Sequence, residues 1–393
     1  MRCSVIVVLV SGFLVVRPAF AENPLDCGKR SLADAVASLG DKALVIKFTG
    51  LCAGPIVIDT DGVTLEGVGD AVIDGGTQDA VTITGAARVT LASFEVRHGR
   101  NGIVADNGAH LSLTDMNVHG NAASGISLRT GSTAVIRDVT IAENGLHGLD
   151  VQGGSAIRVN GTLNATSNQV FGISVNGSSL TMAKATVAAI GNVVGVQIGT
   201  NANAFIDDSS SVINANNNLA TGLTVVSGSH LVSFGGTINA SGNAGVGVSV
   251  NSKSGLDLDA GSTLDSSGNG DGVLIQQNSV MTVFNNPQFS GAPGFSTVSV
   301  RNNTRTGLRV LNEAVITVSN QARVDSRQNG TVGFVGDNGA AATLVNSTIT
   351  GNVARDIQLT FGTRVDLQSL TFGSYSCDAT VLVRGTSGII CPH

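Results

Sequence analysis

Four of the chain's six histidines lie between His98 and His147, accompanied by charged neighbours suited to moving a proton and holding an anionic group. Arg97, His98 and Arg100 come first, His119 follows, and Glu143 and His147 close the stretch. Removing the proton beside a carboxylate needs a base and a cation or acidic calcium cluster that neutralises the carboxylate. These six residues are the candidate catalytic set. Calcium is expected only if the chain is a lyase, and no other cofactor or metal site is expected. Asp115 and Asp138 stand three residues before Val118 and Ile141, so they could share a calcium ion or remain solvated charges beside Arg137. Asp207 and Asp208 suggest a hydrolase's paired carboxylates. Consecutive strand residues point to opposite faces, however, and Ser209, Ser210 and Ser211 after them read as a turn. There is no phosphate loop, HExxH, nucleophile elbow or EF-hand loop.

Groups so far apart in sequence can meet only on a scaffold that brings the chain back at a fixed period. Asparagine, three residues, glycine and then an aliphatic residue recur at Asn121, Asn144, Asn168, Asn218, Asn243, Asn303 and Asn329. Gly102, Gly195 and Gly272 continue the series with an irregular asparagine, and the glycine steps run from 23 to 27 residues with one of 35. Between them apolar residues alternate in bursts of period two, such as Ile126 with Leu128 and Val139 with Ile141. Each unit holds three short strands that cannot bury their own apolar face, so successive units must stack. The spacing predicts an all-β chain, one right-handed parallel β-helix of about 13 coils and roughly 60 Å at ~4.8 Å per coil. The seven asparagines are expected to form a structural ladder, and the glycines to serve tight turns or close approach. His98 is expected to replace a ladder asparagine. On the strand Ile173, Ser174, Val175, the serine is expected to face outward and to tolerate change.

Composition fits such a rod. The chain has 51 glycines, six prolines and 4% aromatic residues, so its core is aliphatic and interrupted by turns. A formal charge of −6 argues against a nucleic-acid surface. Residues 1–21 combine Arg2, an apolar stretch and Ala19, Phe20, Ala21, the pattern of a cleaved signal peptide too short to span a bilayer. The mature chain is expected to be a secreted or periplasmic monomer without a membrane span. An exported chain can oxidise Cys27, Cys52, Cys377 and Cys391, whose clustering favours Cys27 with Cys52 and Cys377 with Cys391 among three pairings. The expected divisions are an N-terminal cap at 22–43 with a helix at 31–39, the β-helix at 44–373, and a disulfide-containing cap at 374–393.

The repeated coils, with Val45, Ile46, Lys47, Phe48 and the run from Val63 to Gly69 after a capping helix, resemble the bacterial right-handed parallel β-helix proteins of the pectin-lyase-like superfamily. That resemblance implies the fold over nearly the whole mature chain and leaves activity open, since the superfamily holds lyases, hydrolases, epimerases, esterases and non-catalytic surface proteins. The Gly-His-Gly and Arg-x-Lys motifs of its polygalacturonase-like members are absent. The reading is an exported protein that associates with extracellular or cell-surface polysaccharide without an identifiable catalytic site. The alternative is a lyase or epimerase of an acidic polysaccharide, using the Arg97 to His147 patch. The long step near 285–295 carries Phe289 and Phe295, which could stack on a sugar or pack the insertion onto the rod.

Overall fold

The computed structural model describes residues 23–40, 44–286, 294–386 and 388–392, so the expected signal peptide and Phe289 lie outside the described residues. One coil shows how the rest is built. The strand Ile103–Asp106 is followed by the ten-residue strand His110–His119, bent at Asp115, where φ is 51°. A turn through Asn121 then leads to Ile126–Leu128, which lies in register on Ile103 to Ala105 one coil earlier. Repetition gives a 14-stranded sheet on one face and a 26-stranded sheet that folds over the other two. Among the described residues, all strand pairings are parallel at this coil-to-coil register.

Fourteen strands in the first sheet make about fourteen coils rather than thirteen. The C-terminal segment contributes the difference. Tyr375–Cys377 pairs with Arg355–Leu359, and Leu382–Gly385 pairs with Arg364–Gln368, so solenoid pairing continues through the stretch expected as a cap. Cys377 and Cys391 are disulfide-bonded there, and Cys27 is bonded to Cys52 at the other end. The helix at the N-terminal opening is Leu32–Ala37; Ser31 caps it by accepting from the Asp34 amide, and Leu32 and Val36 are buried.

Stacked aliphatic columns fill the interior. Ile126, Leu149, Ile173, Val196, Leu223 and Val248 follow one another in register, all fully buried. Each such side chain contributes about 1.5–3 kcal/mol of transfer free energy. Ile173 and Val175 point inward as expected, but Ser174 is also buried, at 1% exposure, on the outer side of the same strand.

The asparagine ladder is longer than the sequence motif. It runs through ten residues, adding Asn192, Asn269 and Asn352 to the expected seven. At each step the side-chain carbonyl accepts the backbone N–H of the preceding ladder residue, as Asn144 Oδ1 does from Asn121 at 3.1 Å, and most steps add a bond between the side chains. These buried turns thereby satisfy donors that water cannot reach. The glycine four residues on needs no unusual φ; it is there because a Cβ on Gly222 would lie 2.6 Å from both Ala215 O and Asn243 Nδ2. A second ladder, of serines, holds the turn after the 14-stranded sheet, with Ser229, Ser254 and Ser279 hydroxyls each accepting an amide of the coil before.

Candidate functional site

The coil register brings part of the Arg97 to His147 set together. Asp74, Arg97 and His119 occupy the same position on three successive coils. Arg97 Nη1 donates to Glu95 at 2.9 Å, His119 Nε2 lies 3.1 Å from the same carboxylate, and His98 Nδ1 lies 2.9 Å from Asp74 Oδ2. The hydrogen bond from His98 holds the Asp74 carboxyl below the usual range, against a smaller effect of burial. Asp74 and Glu95, which the sequence reading did not single out, therefore answer the cations of this patch.

The other three members stand apart. Arg100 is clasped by Asp79 through two bonds of 2.6 and 3.0 Å. Glu143 is exposed at the turn before Asn144. His147 lies beyond that turn, its ring 5.1 Å from Phe171.

His98 does not hold a ladder position. The ladder's equivalent in its coil is Gly99, whose amide donates to Asn121 Oδ1 at 2.9 Å. His98 instead occupies the preceding turn position, with φ of 53°, equivalent to Gly120, Glu143, Ser167 and Asn217. In this coil Gly102 follows the ladder position by three residues rather than four, which displaces His98 from the ladder.

A second arrangement lies on the outer face of the 14-stranded sheet. Ser127, Asp150, Ser174, Gln197, Thr224 and Ser249 form one in-register row. Its serines are recessed, for Ser127 is fully buried and Ser249 only 8% exposed although their strand neighbours face the core, while Asp150, Gln197 and Thr224 are half-buried. Arg129 Nε donates to Ser127, Gln152 to Asp150 and Asn176 to Ser174, so one flank roofs the row. Near the opposite flank, burial lowers the His147 pKa and raises that of Asp150, each partly offset by the attraction between the two. The His147 Nδ1 atom is buried without a hydrogen-bond partner. Alternation of polar outward residues was readable in the sequence; the recession of the serines was not.

The paired aspartates lie elsewhere, where the two limbs of the 26-stranded sheet meet. Asp208 accepts from the Lys184 amide, Ser210 and Ser211, and these bonds outweigh burial to hold it at about 2. It is a turn-organising residue, as the serines after it suggested. Asp115 and Asp138 are corner residues with φ of 51° and 54°, and Asp138 accepts the Thr162 amide at 3.0 Å. Among the described residues no three His, Cys, Asp or Glu side chains gather in a metal-holding group. Phe295 is 50% exposed.

Residues 53–203 match the family described as right handed beta helix region. The chain folds as a right-handed parallel β-helix. No curated protein sequence matches it. Among solved structures, this β-helix is similar to a pectate lyase, at 16% identity and TM-score 0.42 over 68% of this chain and 72% of that one. It is also similar to the A-module of a mannuronan C-5 epimerase from Azotobacter vinelandii, at 14% identity and TM-score 0.43 over 89% and 93%. A surface adhesin of Streptococcus pneumoniae matches at 10% identity and TM-score 0.24 over 94% and 93%. At such identities and scores none of them says what this β-helix does.

Proposed function

We propose that this is an exported β-helix whose 14-stranded face holds an extracellular or cell-surface polysaccharide. The observation that carries the reading is the row from Ser127 to Ser249. The half-buried Asp150, Gln197 and Thr224 present carboxyl, amide and hydroxyl groups there at the coil spacing. Such groups exchange hydrogen bonds with sugar hydroxyls, and Phe171 beside His147 offers an apolar ring at the edge of the row. Two disulfides suit an oxidising compartment. Affinity electrophoresis of the mature protein through gels containing neutral and acidic polysaccharides tests this. Retardation by at least one polymer, weakened in Phe171→Ala and Gln197→Ala variants that keep the parental Tm, is expected. Retardation unchanged by both variants would remove the row as the binding surface.

One observation favours a catalytic reading of the same face. His147, held neutral by burial, lies beside Asp150, and the positive charge of Arg129 acts on that same carboxyl. A neutral imidazole can take a proton while the arginine attends a uronate carboxylate. Incubation with acidic polysaccharides, with and without calcium, distinguishes this reading by unsaturated uronate ends or altered uronate configuration. Loss of product in His147→Gln would assign the base.

A further inference from the structure

The corner between the two limbs of the 26-stranded sheet lies away from the 14-stranded face, and it changes shape along the rod. Between matched core residues the corner holds two residues from Leu113 to Met116 and from Ile136 to Val139. It holds three from Val159 to Leu163, four from Met182 to Val187, and six from Ile206 to Ile213. This stepwise lengthening opens a groove of about 580 Å³ lined by the cations Arg137, Arg158 and Lys184 and by the carboxylates Asp138, Asp207 and Asp208. Three steps of the coil make it ~14 Å long. Gly161 keeps it open, because a Cβ there would lie 3.0 Å from Asp138 Oδ1 and 3.2 Å from Arg137 Cγ.

The side chains have a consistent chemistry. Among the described residues Arg137, Arg158 and Lys184 have no ion-pair partner, although Asp138 and Asp208 stand beside them. Both carboxylates accept backbone amides of the neighbouring coil instead. Arg158 donates to Asn160, which holds its guanidinium along the groove. On the same outward column as Arg158, two coils on, Phe205 is 42% exposed in a chain with 4% aromatic residues. Three cations and an amide whose neighbouring carboxylates Asp138 and Asp208 are engaged by backbone amides, with an exposed ring on the column of Arg158, form a set that can recognise a sugar bearing an anionic group.

We propose that this corner groove is a second saccharide site, selective for a short acidic segment, with Arg137, Arg158 and Lys184 receiving carboxylate or sulfate groups and Phe205 stacking on a sugar ring. It does not depend on the row from Ser127 to Ser249: a neutral polymer could occupy the row with the corner vacant. The test is calorimetric titration of the mature protein with trigalacturonate, a heparin-derived hexasaccharide and neutral maltohexaose. Saturable binding of one anionic probe is expected, with the responding probe telling carboxylate from sulfate. Binding should weaken at least about tenfold in Arg137→Ser/Arg158→Ser/Lys184→Ser and in Phe205→Ala, and stay unchanged in Arg323→Ser, an exposed arginine far from the corner groove. Because the substituted side chains are exposed, an unchanged Tm checks the fold of each variant. Absence of saturable binding by either anionic probe, maltohexaose binding that the triple variant abolishes, or anionic-probe affinity untouched by the triple variant would overturn the proposal.

Discussion

Asn352 donates its backbone and side-chain N–H groups to the Asp356 carboxylate at 3.1 and 2.9 Å, where every earlier ladder asparagine donates to the next asparagine's carbonyl. Asp356 is thus the terminal acceptor of the ladder. Its second oxygen accepts the Gly373 and Ser374 amides, tying the last turn to the final coil. Asp356→Ala should cost about 3 kcal/mol in urea unfolding, because several buried donors lose their partner at once. Asp356→Asn, which keeps one carbonyl for Asn352, should cost less.

The same site gives a pH dependence. Burial alone would raise the Asp356 pKa, but hydrogen bonds from Asn352, Ser374 and Gly373 hold it below the ordinary value. A depressed folded-state pKa stabilises the protein above the unfolded carboxylate's pKa of about 3.9, and that contribution is lost as pH falls through the folded value. The stability gap between the parent and Asp356→Asn should therefore be constant near neutrality and narrow below about pH 4. A gap independent of pH down to the acid transition would show that the carboxylate's charge is immaterial.

Asn218 and His98 should respond in opposite ways to substitution. Asn218 accepts the Asn192 amide at 3.0 Å and donates to Asn243 and to Ala189 O, so Asn218→Ala should cost about 2–4 kcal/mol. His98 is exposed at a left-handed turn position where asparagine is well tolerated. His98→Asn should leave Tm within a few degrees of the parent. His98→Val, with a β-branched side chain at positive φ, should lower stability by about 1–2 kcal/mol. Equal losses at Asn218 and His98 in urea unfolding would contradict the separation of ladder from turn.

Glycines at the two kinds of turn should also differ. Gly222→Ala puts a methyl group 2.6 Å from Ala215 O and Asn243 Nδ2, and should lower Tm sharply. Gly108, with φ of 74° and open space where a Cβ would stand, should accept asparagine with a loss of about 1 kcal/mol or less.

Strand phase can be tested at three consecutive positions. Ile173→Asp and Val175→Asp would place a carboxylate in the aliphatic core and should prevent cooperative folding. Ser174→Asp should also destabilise, by about 1–3 kcal/mol at neutral pH, since the serine is buried and lies in register with Asp150. That loss should shrink as pH falls and the carboxyls protonate. A Ser174→Asp protein as stable as the parent at pH 7 would mean that the row is open to water.

The sequence by itself determined the coil period, the parallel stacking, the inward residues and seven ladder asparagines, and favoured, among three pairings, the two disulfides the structure contains. These are local or periodic properties: alternation follows from strand geometry, and a glycine or asparagine repeated at one position reports a constraint that recurs in every coil. Tertiary structure alone decided what depends on comparing neighbouring coils. Asn192, Asn269 and Asn352 belong to the ladder despite irregular spacing, because buried amides need an acceptor whatever the count of residues between them. His98 fell outside it because one residue of register moves a side chain to another face. The recession of Ser174, the meeting of His147 with Asp150, and the widening corner beside Arg158 arise from small differences between adjacent coils. A repeat motif averages those differences away, while packing of one coil on the next makes each of them a distinct surface.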